Sequence, residues 1–202
     1  MRKPRLGALA GRAGFRWLGL AALSWLSACS GEPADRPARR PAGYFDTVGL
    51  LDAQIKQLQA QRLGLEKAVV LRDGQTETRQ LRQVNWANEL ELFYQADINK
   101  PALRGAYKQT SAADSTGLTR QTFRRRPNVE HPVLELSVLR AGATVRELQA
   151  RISQDNALFF SGKQLALRFG PDGLLTDYQV RGSQKLVVFD STRYAARARV
   201  LR

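Results

Sequence analysis

From residue 44 onward the spacing of apolar positions changes along the chain. Val48, Leu51, Ile55 and Leu58 recur at steps of three and four, with Gln54, Lys56, Gln57 and Gln59 around the other faces. That spacing predicts an amphipathic helix with Asp46 or Thr47 as its cap and Gly64 as its stop. Residues 69–72 and 76–82 then read as the two arms of a hairpin that turns at Asp73-Gly74. A second helix is predicted over 85–99, capped by Asn85 and closed by Lys100-Pro101, with Trp86, Leu90 and Phe93 on one face.

Beyond Arg104 the helical period gives way to alternation. Strands are predicted at 107–110 and 118–124 around a polar loop, SAADSTG, and then at 133–139 and 145–152. Val145, Leu148 and Ile152 also fit one face of a short helix. Strand is preferred there because 146, 148, 150 and 152 alternate with 145, 147, 149 and 151 inside a run of hairpins. Further strands are predicted at 164–169, 174–180, 185–190 and 194–201, with Pro171-Asp172-Gly173 and Gly182-Ser183 as turns. Two helices followed by consecutive short strands predict an α+β fold: a meandering antiparallel sheet with both helices packed on one face. A half-open barrel is the alternative, since so many sequential strands can curl around a ligand.

The start of the chain has a different character. Residues 1–16 hold Arg2, Lys3, Arg5, Arg12 and Arg16 with no acidic residue, and 17–26 form an uncharged, mostly apolar run. A membrane-spanning helix needs about 20 such residues, so the run has the length of a signal-peptide core. Leu26-Ser27-Ala28-Cys29 follows, and Cys29 is the only cysteine. This tetrad resembles the lipobox of bacterial lipoproteins. The resemblance implies diacylglyceryl transfer to the Cys29 sulfur, cleavage before Cys29 with loss of residues 1–28, and acylation of the new amino group. Two or three acyl chains, at about 0.8 kcal/mol per buried methylene, hold a protein durably on a membrane. Ser30, where Asp would retain the protein at the inner membrane, implies sorting to the outer membrane. Pro33, Pro37 and Pro41 then punctuate a charged spacer, so that 29–43 read as a lipidated tether and 44–202 as one domain.

The stretches NWANELELFYQADINKPA and DYQVRGSQKLVVF resemble uncharacterised lipoproteins of Bacteroidetes bacteria, which implies an exported class and no particular chemistry. Charge sharpens the picture. The whole chain carries a formal +14 and a pI near 10.8. The five basic residues before Cys29 account for part of this, leaving +9 on the mature chain. Export removes nucleic acid from reach, so the expected partners are the membrane, through the N-terminal lipid, and an anionic envelope component or outer-membrane protein.

No catalytic constellation is legible. His131 is the only histidine and sits in a proline-bracketed connection, PNVEHP; Ser137, Ser153, Asp155 and Asp114 are its conceivable triad partners, and no Gly-x-Ser-x-Gly elbow exists. One histidine and no free cysteine argue against zinc. The pairs Glu89 with Glu91 and Asp172 with Asp177 read as ordinary surface carboxylates, and no motif implies a cofactor. Arg120, Arg124 and Arg126 are the candidate partner-binding residues. Alternation places Arg124 and Arg126 on one face and Arg125 on the other, although like charges at the end of a strand also serve to discourage edge pairing. The expected function is a lipid-anchored, non-catalytic binding or assembly module. An envelope hydrolase and an acyl-chain carrier in a curled sheet are the alternatives.

Overall fold

The computed structural model describes residues 43–70, 74–156, 158–186 and 191–202. The expected signal peptide, Cys29, most of the tether, the Asp73 turn residue and 187–190 lie outside the described residues.

Helix α1 runs Thr47–Ala60, and the Asp46 carboxylate accepts the Gly49 N–H at 2.8 Å, which satisfies one of the free donors of the first turn. The helix stops at Arg62, which takes a left-handed φ of 51°, and not at Gly64. Gly64 instead opens β1 (Gly64–Val70), where the backbone carbonyl of Leu81 passes too close for a Cβ. β2 (Thr76–Leu81) pairs back on β1. Asn85 caps α2 (Trp86–Leu90) by accepting the Asn88 N–H at 3.2 Å. The predicted second helix is therefore real but short. It tightens into a 3-10 segment at Glu91–Ala96, which still turns Phe93 inward beside Trp86 and Leu90.

Seven strands follow in unbroken antiparallel succession: β3 (Tyr107–Ala113), β4 (Leu118–Arg125), β5 (Val133–Ala141), β6 (Thr144–Asn156), β7 (Phe159–Phe169), β8 (Leu175–Leu186) and β9 (Thr192–Leu201). The β1–β2 hairpin joins the far side of β9, giving one open sheet of order β2-β1-β9-β8-β7-β6-β5-β4-β3. The fold is α+β, and the first strand to form in sequence ends up beside the last.

Two predicted loops differ from expectation, and one choice between helix and strand is decided. β3 extends to Ala113, so SAADSTG gives three of its seven residues to a strand. Residues 145–152 are strand, as alternation demanded. Gly182-Ser183 is not a turn: both residues lie inside β8, paired with Lys163-Gly162 on one side and Tyr194-Arg193 on the other.

Alternation divides the sheet into two faces. Phe123, Leu136, Leu148, Leu165, Leu167, Tyr178 and Ala198 point to the helices and are buried against Leu51, Leu58, Trp86, Leu90 and Phe93. Each large side chain so buried contributes about 1.5–3 kcal/mol. Gln54, expected on the polar face of α1, is buried here. It donates Nε2 to the Gly173 carbonyl at 3.0 Å and accepts the Leu175 N–H at 2.8 Å, clamping α1 to the β7–β8 turn. The other face of the sheet carries no covering element among the described residues.

Candidate functional site

Polar groups on the helix side are engaged in structural contacts. Glu89 receives Lys67 Nζ at 2.6 Å and the Tyr178 hydroxyl, which ties α2 to β1 and β8. Burial, then the bond to Glu89, pushes the Tyr178 hydroxyl well above its usual titration range. The Glu89 carboxylate is thus an interior link and not the surface group expected. Asp172 accepts the Leu174 N–H at 3.1 Å and meets Arg202 at 3.0 Å, while Asp177 meets Arg168. Tyr94, bonded to Asp52 at 2.5 Å, is pushed up to about 12, chiefly by burial.

His131 is likewise structural. Its Nδ1 lies 2.7 Å from the Tyr107 hydroxyl, which also donates to the Val133 carbonyl at 2.8 Å, and its own carbonyl accepts from Arg125. Burial, followed by the charges of Lys100 and Arg125, holds the imidazole below its ordinary value. Of its conceivable triad partners, Asp114 is occupied in its own turn with Thr116 and Leu118, and Ser137 accepts from Arg120.

On the open face, side chains from neighbouring strands stand in rows. In one row Arg120, Leu139, Glu147, Arg168, Asp177, Arg199 and Glu66 follow one another across the strands. Arg168 bridges Glu147 at 3.4 Å and Asp177 at 2.9 Å, Arg120 reaches Glu147 at 3.6 Å, and Arg199 reaches Glu66 at 2.9 Å. Each exposed pair is worth about 0–1 kcal/mol, so the ladder serves mainly to neutralise that end of the face. Gln80, then Arg199, holds the Glu66 carboxyl below its usual range.

Four residues further along the strands the row reads Arg124, Glu135, Arg151, Gln164, Arg181, Ala195 and Val70. Arg124 pairs with Glu135 at 2.9 Å. Arg151, Arg181 and Arg193 meet no carboxylate among the described residues; with the Gln179 amide turned to accept, Arg181 donates to its oxygen at 3.0 Å. The row divides two hollows. On one side lies a polar hollow of about 290 Å³ lined by Ser137, Gln149, Ala166, Arg168 and Gln179. On the other an open, largely apolar trough of about 620 Å³ runs over Gly162, Ser153, Ser183 and Ala195 between Phe160, Leu134 and Val70. Arg151, Gln164 and Arg181 border both.

The expected partner-binding residues stand on or beside this face. Arg120 and Arg124 project from it but are paired with Glu147 and Glu135, while Arg126 lies just past the end of β4 beside a smaller hollow of about 250 Å³ shared with Lys108 and Arg124. Arg125 is on the helix side, as alternation predicted, since it reaches the His131 carbonyl. Arg151, Arg181, Arg193 and Phe160 were not legible as a site. Their signal is a run of small residues, Gly162, Ser183 and Ala195, facing outward on consecutive strands, and it appears only once Gly162 and Ser183 are known to be strand residues.

Among the described residues no group of three or more His, Cys, Asp or Glu is placed to hold a metal ion, and no helix is long and apolar enough to cross a membrane. No protein-family model, curated protein or solved structure matches the chain.

Proposed function

We propose that the protein is a lipid-anchored lipoprotein of the bacterial outer membrane, held by acylated Cys29, whose domain is a non-catalytic binding module for an anionic envelope component. The lipobox-like Leu26-Ser27-Ala28-Cys29 supports the anchor. One structural observation carries the binding role: the face of the sheet left open by the helices presents arginines without carboxylate partners among the described residues around an apolar trough. An unneutralised arginine beside apolar surface offers planar, charge-assisted donors where water is partly excluded. On the helix side the ionisable groups Glu89, Lys67, Tyr178 and His131 are spent on packing, which favours binding over chemistry.

Mass analysis of the N-terminal peptide, from protein isolated from its native membrane, tests the anchor. The peptide is expected to begin at Cys29 and to carry the added mass of a diacylglycerol and an amide-linked acyl chain. A free Cys29 thiol, or a chain cut elsewhere, overturns the anchor.

A further inference from the structure

The open face juxtaposes three things that a small amphiphile needs. The first is an apolar trough of about 620 Å³, within the range of about 300–1,000 Å³ typical of small-molecule sites. Its depth comes from missing side-chain volume at Gly162, Ser183 and Ala195, and its walls from Phe160 and Val70, each 40% exposed, and from Leu134. Leu134 reaches this face because a register shift between Val133 and Glu135 leaves it out of the strand pairing. The second is a pair of arginines, Arg151 and Arg181, at the trough's inner end, one on each side of Gln164. With strands about 4.8 Å apart, their Cα atoms stand about 10 Å from one another, which lets two guanidinium groups converge on one head group above Gln164. The third is the polar hollow beyond them, which keeps that head group hydrated.

We propose that this trough is a binding site for a free, single-chain anionic amphiphile of the fatty-acid type, its carboxylate held by Arg151 and Arg181 and its chain laid over Gly162 and Ala195 against Phe160 and Val70. The order of the parts sets the orientation: the head lies toward the ladder end of the face and the chain toward Phe160. Opposite charge selects the head, since the neighbouring Arg168 and Arg199 are already neutralised by Glu147, Asp177 and Glu66. The site deepens the binding role proposed above by naming a ligand class, and it does not depend on Cys29.

The test titrates dodecanoate, below its micellar concentration, into the full 202-residue chain produced in a cell-free system, where neither cleavage nor lipidation occurs. Saturable binding of one dodecanoate per chain is expected, with acetate and dodecyl maltoside at least tenfold weaker because each lacks half of the ligand. Arg151→Gln combined with Arg181→Gln is expected to weaken dodecanoate binding at least tenfold. Gly162→Val should block it while the fold survives, because a Cβ at Gly162 meets the Phe160 ring and Ser183 Oγ only at ordinary contact distance, 3.5–3.6 Å, and valine suits a strand. A melting temperature no lower than that of the parent chain verifies this. Dodecanoate binding that survives both sets of substitutions, or that equals dodecyl maltoside binding, overturns the proposal. So does binding confined to phosphatidylglycerol vesicles, which would make the face a membrane-surface contact. Because the anchor is read from the mass of the Cys29 peptide, failure here leaves that reading intact.

Discussion

The ring of Tyr194 lies across Gly182, its cross-strand partner, so closely that a Cβ at Gly182 would fall within 3.0 Å of the ring. The pair joins β8 to β9 on the helix side, where Tyr194 packs at the border of the core, and the glycine is there to seat the aromatic ring. Gly182→Ala is expected to destabilise the domain by about 1–3 kcal/mol through overpacking. Denaturant unfolding of Gly182→Ala, Tyr194→Ala and the double variant isolates the cause. The alanine at 182 should cost little once the ring is gone, and a full additive loss in the double variant would place the strain elsewhere.

Gln54 carries a comparable load through hydrogen bonds. Gln54→Met keeps the length of the side chain but leaves the Leu175 N–H and the Gly173 carbonyl without their partner beneath α1. The expected cost is about 1–3 kcal/mol per group left unsatisfied and buried, read as a lower urea midpoint at unchanged slope. A variant as stable as the parent would mean that water replaces the amide.

Stability should fall as the pH drops from 7 toward 5, and His131 is the reason. Its folded value lies below the ordinary 6.5, so between the two values the unfolded chain binds the extra proton and the folded domain does not. The stabilisation is complete above 6.5 and is lost as pH falls below it. Lys100 and Arg125 oppose the imidazolium, Asp97 favours it, and Tyr107 is its bonded neighbour. The depressed carboxyls of Glu66, Asp114 and Asp172 act lower, as pH falls below their ordinary values of 4.5 and 3.8. His131→Gln should flatten the stability profile between pH 7 and 5 while leaving the drop below 4.5. An unchanged slope would assign that window to another group.

The folded unit is expected to begin at Gly43. The Asn99 side chain accepts the N–H groups of both Gly43 and Tyr44 at 3.0 Å, and Tyr44 packs edge-on against Tyr107 and Phe123. A chain starting at residue 44 gives up one exposed hydrogen bond and should melt within about 4 °C of one that keeps 31–43, since about 1 kcal/mol shifts a domain of this size by about 2–4 °C. A start at residue 46 also removes Tyr44 and Phe45 and should lower the melting temperature several times further. An equal shift for the two truncations would show that the Tyr44–Phe123 contact adds nothing.

What the chain alone determined is what depends on neighbours in sequence. Asp46 and Asn85 were legible as caps because a cap acts on N–H groups two or three residues away, and β4 to β6 were legible because alternation alone sorts side chains to two faces. The α+β class followed from those local periods. Tertiary structure decided whatever depends on which strand lies beside which. Gly182 is a turn residue by composition and a strand residue in fact because Tyr194, twelve positions later, is its cross-strand partner and covers it. Gln54 is polar by composition and buried in fact because the β7–β8 turn offers its backbone groups a partner. The arginines divided in the same way: Arg120, Arg124 and Arg126 stand out as a local run, yet Arg120 and Arg124 are neutralised by carboxylates on β5 and β6. Arg151 and Arg181, thirty positions apart, flank Gln164 of β7 beside a floor of small residues. A sheet brings distant strands within one hydrogen-bond spacing, so charge and hollow at its face belong to its rows, and no window of sequence contains a row.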